Sequence, residues 1–128
     1  MPKLLVVDDE PLTVEMLETF LKISGYDTVA VLNGEDALLM IQLESPDAVL
    51  LDLQLPDLSG IEVCRQLRTL PKLAAYADLP VIMITAHGSP EMRHRALEAG
   101  TSAYFTKPIK FPELIAELNR LLAARQAK

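Results

Sequence analysis

Runs of apolar residues without alternation occupy positions 4–7, 48–51 and 80–84 of this chain. An unbroken run of that length is how a strand buried on both faces of a parallel sheet reads. Residues 27–31 and 103–105 are two further short strand candidates. Between the runs the apolar period changes to that of a helix. Val14, Leu17, Phe20 and Leu21 share one face of a segment whose other face carries Glu15, Glu18 and Lys22. Ala37, Leu38 and Ile41 mark a second helix, and apolar residues at 111, 114, 115, 118, 121 and 122 mark a closing helix that ends at about Arg125.

The punctuation between these segments agrees with the pattern. Pro11 opens the first helix, where a missing N–H costs nothing, and Gly25 lies just past its end. Asn33 caps the second helix, with Glu35 and Asp36 favourably placed in its first turn, and Pro46 ends the segment. Ser59-Gly60-Ile61-Glu62 has the capping-box pattern and starts a third helix through about Arg68. A longer connection, 69–79, holds Pro71 and Tyr76. Ser89-Pro90-Glu91 caps a fourth helix that runs to Gly100. Strand and helix therefore alternate regularly, five of each. That order predicts an α/β fold, a doubly wound parallel sheet with helices on both faces, and one domain over 1–128. There is no internal repeat, linker or low-complexity tract.

Composition narrows the function. Half of the 128 residues are hydrophobic, as in a globular domain, and the net charge of −6 argues against a nucleic-acid-binding surface. No apolar run approaches a membrane span, and the first residues lead straight into a strand without a signal-peptide core. The single Cys64, read as a core residue of the third helix, fits a reducing cytoplasm.

The chemistry collects at the strand ends. Asp8 and Asp9 follow the first strand, Asp52 the third, Thr85 the fourth and Lys107 the fifth. A lone Asp such as Asp52 ordinarily reads as a turn or capping residue. In a parallel sheet, however, all strand ends point to one edge, which is where such folds bind ligands. Three carboxylates converging there repel, and a hard divalent cation such as Mg²⁺ would complete the pocket. Asp52 could then attack a phosphoryl group, with Lys107 and the Thr85 hydroxyl stabilising charge on its oxygens.

With those residues in view, the chain resembles the receiver domain of two-component response regulators. The residues that carry the likeness are Val6-Val7-Asp8-Asp9-Glu10, Leu50-Leu51-Asp52-Leu53-Gln54-Leu55-Pro56 with Gly60, Ile84-Thr85-Ala86, and Ala99-Gly100 through Tyr104-Phe105-Thr106-Lys107-Pro108. The resemblance covers essentially the whole chain. It implies a flavodoxin-like strand order of 2-1-3-4-5 and a signalling module, not an enzyme acting on other substrates. By that resemblance Asp52 is the phosphoacceptor. Mg²⁺ is held directly by Asp9, Asp52 and the Gln54 backbone carbonyl, with Asp8 acting through water. Thr85 and Tyr104 form a switch pair, and Lys107-Pro108 is a cis peptide. The donor is a sensor histidine kinase or a histidine phosphotransfer protein. The output is an unknown partner or an attached output domain; the last three residues are too short to hold one.

Gln54 and His87 sit where the family varies, and they border the path of a hydrolytic water. They are expected to tune phosphoryl lifetime, or else to be ordinary exposed loop residues. His94 is expected at a helix surface. Gly100-Thr101-Ser102-Ala103 lacks the acidic pair of the winged-helix branch, which speaks against that branch's dimer. Three other readings compete. An aspartate-nucleophile phosphatase would want a second acid at position 54. A flavodoxin-type cofactor binder would want a Ser/Thr/Gly-rich loop in place of Asp8-Asp9-Glu10. A receiver-like module that binds partners without phosphorylation would not need the full set of acids, Thr85 and Lys107.

Overall fold

In the computed structural model the described residues are 1–86 and 88–127. The elements follow the alternation: β1 Lys3–Val7, α1 Pro11–Ile23, β2 Asp27–Val31, α2 Gly34–Glu44, β3 Ala48–Leu51, α3 Gly60–Thr69, β4 Val81–Thr85, α4 Pro90–Glu98, β5 Ala103–Thr106 and α5 Phe111–Gln126. The five strands are all parallel, in the order β2-β1-β3-β4-β5. The doubly wound α/β architecture and the 2-1-3-4-5 order are as anticipated.

The apolar runs are explained by what lies on each face. Leu5, Val7, Val49, Leu51 and Met83 point to one side, where Ala37, Ile41, Val63, Leu67 and Ala96 of α2, α3 and α4 cover them. Leu4, Val6, Leu50, Ile82 and Ile84 point to the other, against Val14, Leu17, Leu21, Leu114, Leu118 and Leu122 of α1 and α5. Successive strand residues alternate between two cores, so neither set can be polar.

The helix ends behave as their residues dictate. Asn33, Ser59 and Ser89 each accept a hydrogen bond from the backbone N–H three residues on. The α3 start is half a capping box, because the Glu62 carboxylate is taken by Arg65 and Gln66 instead of turning back to the cap. After α1 the Gly25 and Tyr26 amides bond to the Lys22 and Leu21 carbonyls, with Gly25 in the left-handed region at φ +97. Boundaries shift slightly from expectation. β4 extends through Thr85, and α4 stops at Glu98 before the left-handed Gly100.

The long connection is not irregular. It holds a 3-10 helix, Pro71–Tyr76, whose Leu73 is fully buried, as is Leu79 beyond it. Arg68 fastens this segment by donating to the Ala77 carbonyl and to the Gly100 carbonyl, so one side chain ties α3 to two turns. Cys64 is buried and donates its S–H to the Ala99 carbonyl, in keeping with a packing role.

Two glycines are required for different reasons, and this generates a test. A Cβ at Gly60 would lie 2.3 Å from the Asp52 carbonyl oxygen, whereas at Gly25 nothing lies within 4 Å and only the backbone angle is special. Gly60→Ala should therefore cost about 3 kcal/mol or more, a steric overlap with backbone that cannot relax cheaply. Gly25→Ala should cost about 1–2 kcal/mol, the ordinary left-handed penalty. Urea unfolding of both variants gives the comparison; equal losses would remove the steric argument at position 60.

Candidate functional site

Sheet register builds the site. Val7 pairs with Leu51 at the ends of β1 and β3, and the Asp52 amide bonds to the Val7 carbonyl. Asp8 and Asp52 are thus the next residues on adjacent central strands, leaving the sheet side by side. On the other side of β3, Leu51 pairs with Met83, and Thr85 of β4 pairs with Thr106 of β5. The Lys107 amide then bonds to the Thr85 carbonyl, which brings the lysine round to the same edge. The Lys107–Pro108 peptide is cis.

Asp8 is 3% exposed, Asp52 7% and Thr85 0%. Burying carboxylates at a strand end is costly unless each oxygen finds a partner. The two acids solve this in the same way. Asp8 accepts from the Glu10 amide at 2.9 Å and from the Lys107 ammonium at 2.9 Å. Asp52 accepts from the Gln54 amide at 3.1 Å and from the same ammonium at 3.1 Å. Asp9 is exposed and makes no ion pair among the described residues, but its carboxylate completes a group of three whose oxygens all lie within 4.8 Å of one another.

The charges do not balance. Burial pushes the Asp52 carboxyl above its ordinary range, and the Gln54 amide and Lys107 only partly offset this, while Asp8 adds to it. For Lys107 burial works against the charged form, yet the Asp8 and Asp52 carboxylates outweigh it and hold the ammonium above its usual value. One ammonium faces three acids. The donor set, three carboxylates on converging strand ends, is that of a hard-cation site.

Tyr104 of β5 is buried and packs in the core shared with α3 and α4. The Arg93 guanidinium lies 5.7 Å from its ring centre. Burial raises the Tyr104 hydroxyl's pKa, with Arg93 opposing. The Gln54 side chain is exposed, at the edge of a cleft of about 740 Å³ that runs between the loop after β3 and the start of α4. His87, the other residue expected to tune lifetime, lies outside the described residues. His94 is exposed on α4 and pairs with Glu98.

Two residues with structural weight near the site are not signalled by the sequence. Arg93 looks like any surface cation of α4. Asp57 reads as a turn residue beside Pro56, yet its carboxylate accepts from the Gly34 and Glu35 amides at the start of α2. Nothing in the spacing points to a partner more than twenty positions away.

A parallel five-stranded sheet with an acid cluster and a lysine at its carboxyl edge defines a phosphoaspartate signalling module. Comparison with known proteins agrees. The profile of the response regulator receiver domain matches residues 4–119, and this chain belongs to that family. The phosphate regulon transcriptional regulatory protein PhoB of Rhizobium meliloti (strain 1021) is 39% identical over 128 residues, covering all of this chain and 54% of that protein. A putative response regulator from Chloroflexus aurantiacus superimposes with a TM-score of 0.87 at 35% identity, over 95% of this chain and 98% of that one. The BeF3-activated N-terminal receiver domain of Klebsiella pneumoniae RstA gives 0.84 at 31% identity, over 94% and 97%. The chain spans about half the length of the curated relatives it matches. As a receiver it is a signalling module and not a true enzyme. Among the described residues no helix is long and apolar enough to cross a membrane.

The raised Asp52 carboxyl has a consequence for stability. Between the ordinary carboxylate pKa and the raised one, the folded protein binds a proton that the unfolded chain does not. Stability from this group therefore falls as pH rises through that window, and ionised Asp52 weighs against folding at neutral pH. Metal-free Asp52→Asn should melt a few degrees above the parent at pH 7, roughly 2–5 °C. The gap should narrow toward pH 4. Thermal melts with a chelator across that range check it; a gap that widens on acidification would mean Asp52 is stabilised, not strained, by its site.

Proposed function

We propose that Asp52 is the phosphoacceptor, taking a phosphoryl group from the phosphohistidine of a sensor histidine kinase or a histidine phosphotransfer protein. The observation that carries this reading is the placement of its carboxylate. It sits at the sheet edge, one oxygen on the Gln54 amide and the other on Lys107, beside two further acids.

The donor set fits Mg²⁺, which Asp9, Asp52 and the Gln54 carbonyl would hold directly and Asp8 through water. Bound there, the cation would offset the acids and the charge of the incoming phosphoryl oxygens. An Asp52 oxygen attacks phosphorus, the P–N bond to the donor imidazole breaks, and its electron pair stays on the ring nitrogen. Lys107 exchanges its contact with the attacking carboxylate for one with a phosphoryl oxygen. The buried Thr85 hydroxyl donates to another phosphoryl oxygen, and Tyr104 shifts with it, changing the surface made by α4, β5 and α5. Gln54 borders the path of hydrolytic water and would tune phosphoryl lifetime from there.

This reading places the chain in the cytoplasm as a receiver domain over 1–128. Because the curated relatives are about twice its length, its output is either a separate partner or an attached output domain. Similarity to longer proteins named as transcriptional regulators supports an attached domain, and the acidic charge supports a receiver that does not itself touch nucleic acid.

Acetyl phosphate with Mg²⁺ should add about 80 Da, one phosphoryl group, to the parent. Asp52→Asn should show no adduct, because the amide keeps the shape without the nucleophile. An equal adduct on that variant would move the acceptor elsewhere. Mg²⁺ in the millimolar range should also raise the parent's melting temperature, by an amount growing with the logarithm of concentration above Kd. Asp9→Asn should melt a few degrees higher without metal, on the order of 3 °C, and respond less to Mg²⁺. Glu15→Gln makes the same charge change on the exposed face of α1 and is the control. Identical behaviour of the two variants would dissolve the metal site.

A further inference from the structure

The loop from Asp52 to Gly60 carries the groups that orient the acceptor. The Gln54 amide holds one Asp52 oxygen, and the neck of the loop is closed by the Gly60 amide on the Leu53 carbonyl at 2.7 Å. Gly60 fits there with no room for a side chain. The neck alone does not fix the tip, which extends through Gln54, Leu55 and Pro56.

The tip is held by Asp57. One of its carboxylate oxygens accepts from the Gly34 amide at 2.8 Å and from the Leu58 amide at 2.8 Å; the other accepts from the Glu35 amide at 2.9 Å. The Gly34 and Glu35 amides are the first two of α2, while the third, that of Asp36, goes to the Asn33 cap. The positive end of a helix dipole favours a carboxylate at this spot. Contact is close on both sides, since a Cβ on Gly34 would meet Val63 at 2.8 Å and Leu58 at 3.0 Å. Leu55 and Leu58 pack on the core below, so Asp57 is the polar tie and they are the apolar one.

We infer that Asp57 is a positioning residue for phosphoryl uptake: by docking the loop tip onto α2 it holds the Gln54 backbone, and through it the Asp52 carboxylate, in the orientation the site needs. Two features make the link stiff. Pro56 limits the backbone immediately before Asp57, and only Leu55 separates that proline from Gln54. α2 itself is rigidly seated, with Ala37 and Ile41 fully buried against the sheet. The inference rests on the receiver reading above, which makes Asp52 the acceptor and the Gln54 carbonyl a metal ligand.

The competing role is that of an ordinary helix cap, which would stabilise α2 and leave the site alone. Asn33→Ala separates the two, because it removes a cap from the same helix end without touching the loop. Asp57→Ala and Asn33→Ala should lower the melting temperature comparably. In metal-free protein, Asp57→Ala alone should speed hydrogen exchange at the Gln54 and Gly60 amides, on the order of tenfold, as a local opening. It alone should also weaken Mg²⁺ binding measured by calorimetry, by roughly tenfold. Asp57→Asn keeps one acceptor oxygen, for Gly34 and Leu58, and turns an amide toward the Glu35 N–H, so it should fall between parent and Ala. It carries the test if the alanine variant does not fold. Exchange and Mg²⁺ affinity equal to those of Asn33→Ala would overturn the inference and leave Asp57 a cap. A parent that takes up no phosphoryl group would instead undo the receiver mechanism, while the exchange result would still decide whether Asp57 holds the loop.

Discussion

The Lys107 ammonium between the Asp8 and Asp52 carboxylates is the interaction on which the site depends. Two buried acids at this separation repel by several kcal/mol even at an effective dielectric of about 20. The Glu10 and Gln54 amides each satisfy one oxygen of these acids but bring no countercharge. Lys107 supplies the countercharge from the far side of the sheet, carried there by β5 and the turn after it. It does not cancel the whole charge, because one ammonium faces two carboxylates and Asp9 stands beside the pair as a third. The result is a folded site with an electrostatic deficit, open to a cation and sensitive to a change of charge on Asp52. Such a site responds to small local events because its resting balance is narrow.

The position of that site follows from the core. Every residue of β3 and nearly every residue of β1 and β4 is apolar because helices cover both faces. A central strand of this kind has only its ends available for polar side chains. Parallel pairing in register, with Val7 beside Leu51, then makes those ends coincide. The same packing that stabilises the fold thus concentrates the acids. β4 and β5 extend the arrangement sideways, with Met83 beside Tyr104 and Thr85 beside Thr106. A buried hydroxyl at the end of β4 and a buried aromatic next to α4 are therefore on paired strands, two residues out of step.

Much of this was legible along the chain. Apolar runs against helical periods reported the α/β fold, and Pro11, Gly25, Asn33, Ser59 and Ser89 marked ends that the structure keeps. Asp8, Asp9, Asp52, Thr85 and Lys107 could be assigned to one edge because strand ends in a parallel sheet face one way. These are local or symmetric properties: the unbroken apolar runs, the 3.6-residue helical period and the common direction of the strands require no knowledge of distant contacts. The strand order came from family likeness and not from periodicity.

Tertiary structure decided what depends on approach between distant segments. That Lys107 bridges Asp8 and Asp52 but not Asp9 is set by register and by the turn after β5. The 69–79 connection folds as a 3-10 helix because Leu73 finds a core site and Arg68 finds carbonyls, neither visible as a pattern in the connection itself. Asp57 is the clearest case. Beside Pro56 and before a helix cap, an Asp is a turn residue by every local rule. Its carboxylate becomes a tie to α2 only because β1 places that helix next to the loop, with free amides facing it. Sequence by itself determined which residues could do chemistry and which edge would hold them, since both follow from side-chain type and strand direction. Only the packed structure decided which donors each acid meets, since hydrogen bonds across twenty to a hundred residues are a property of the assembled sheet and helices.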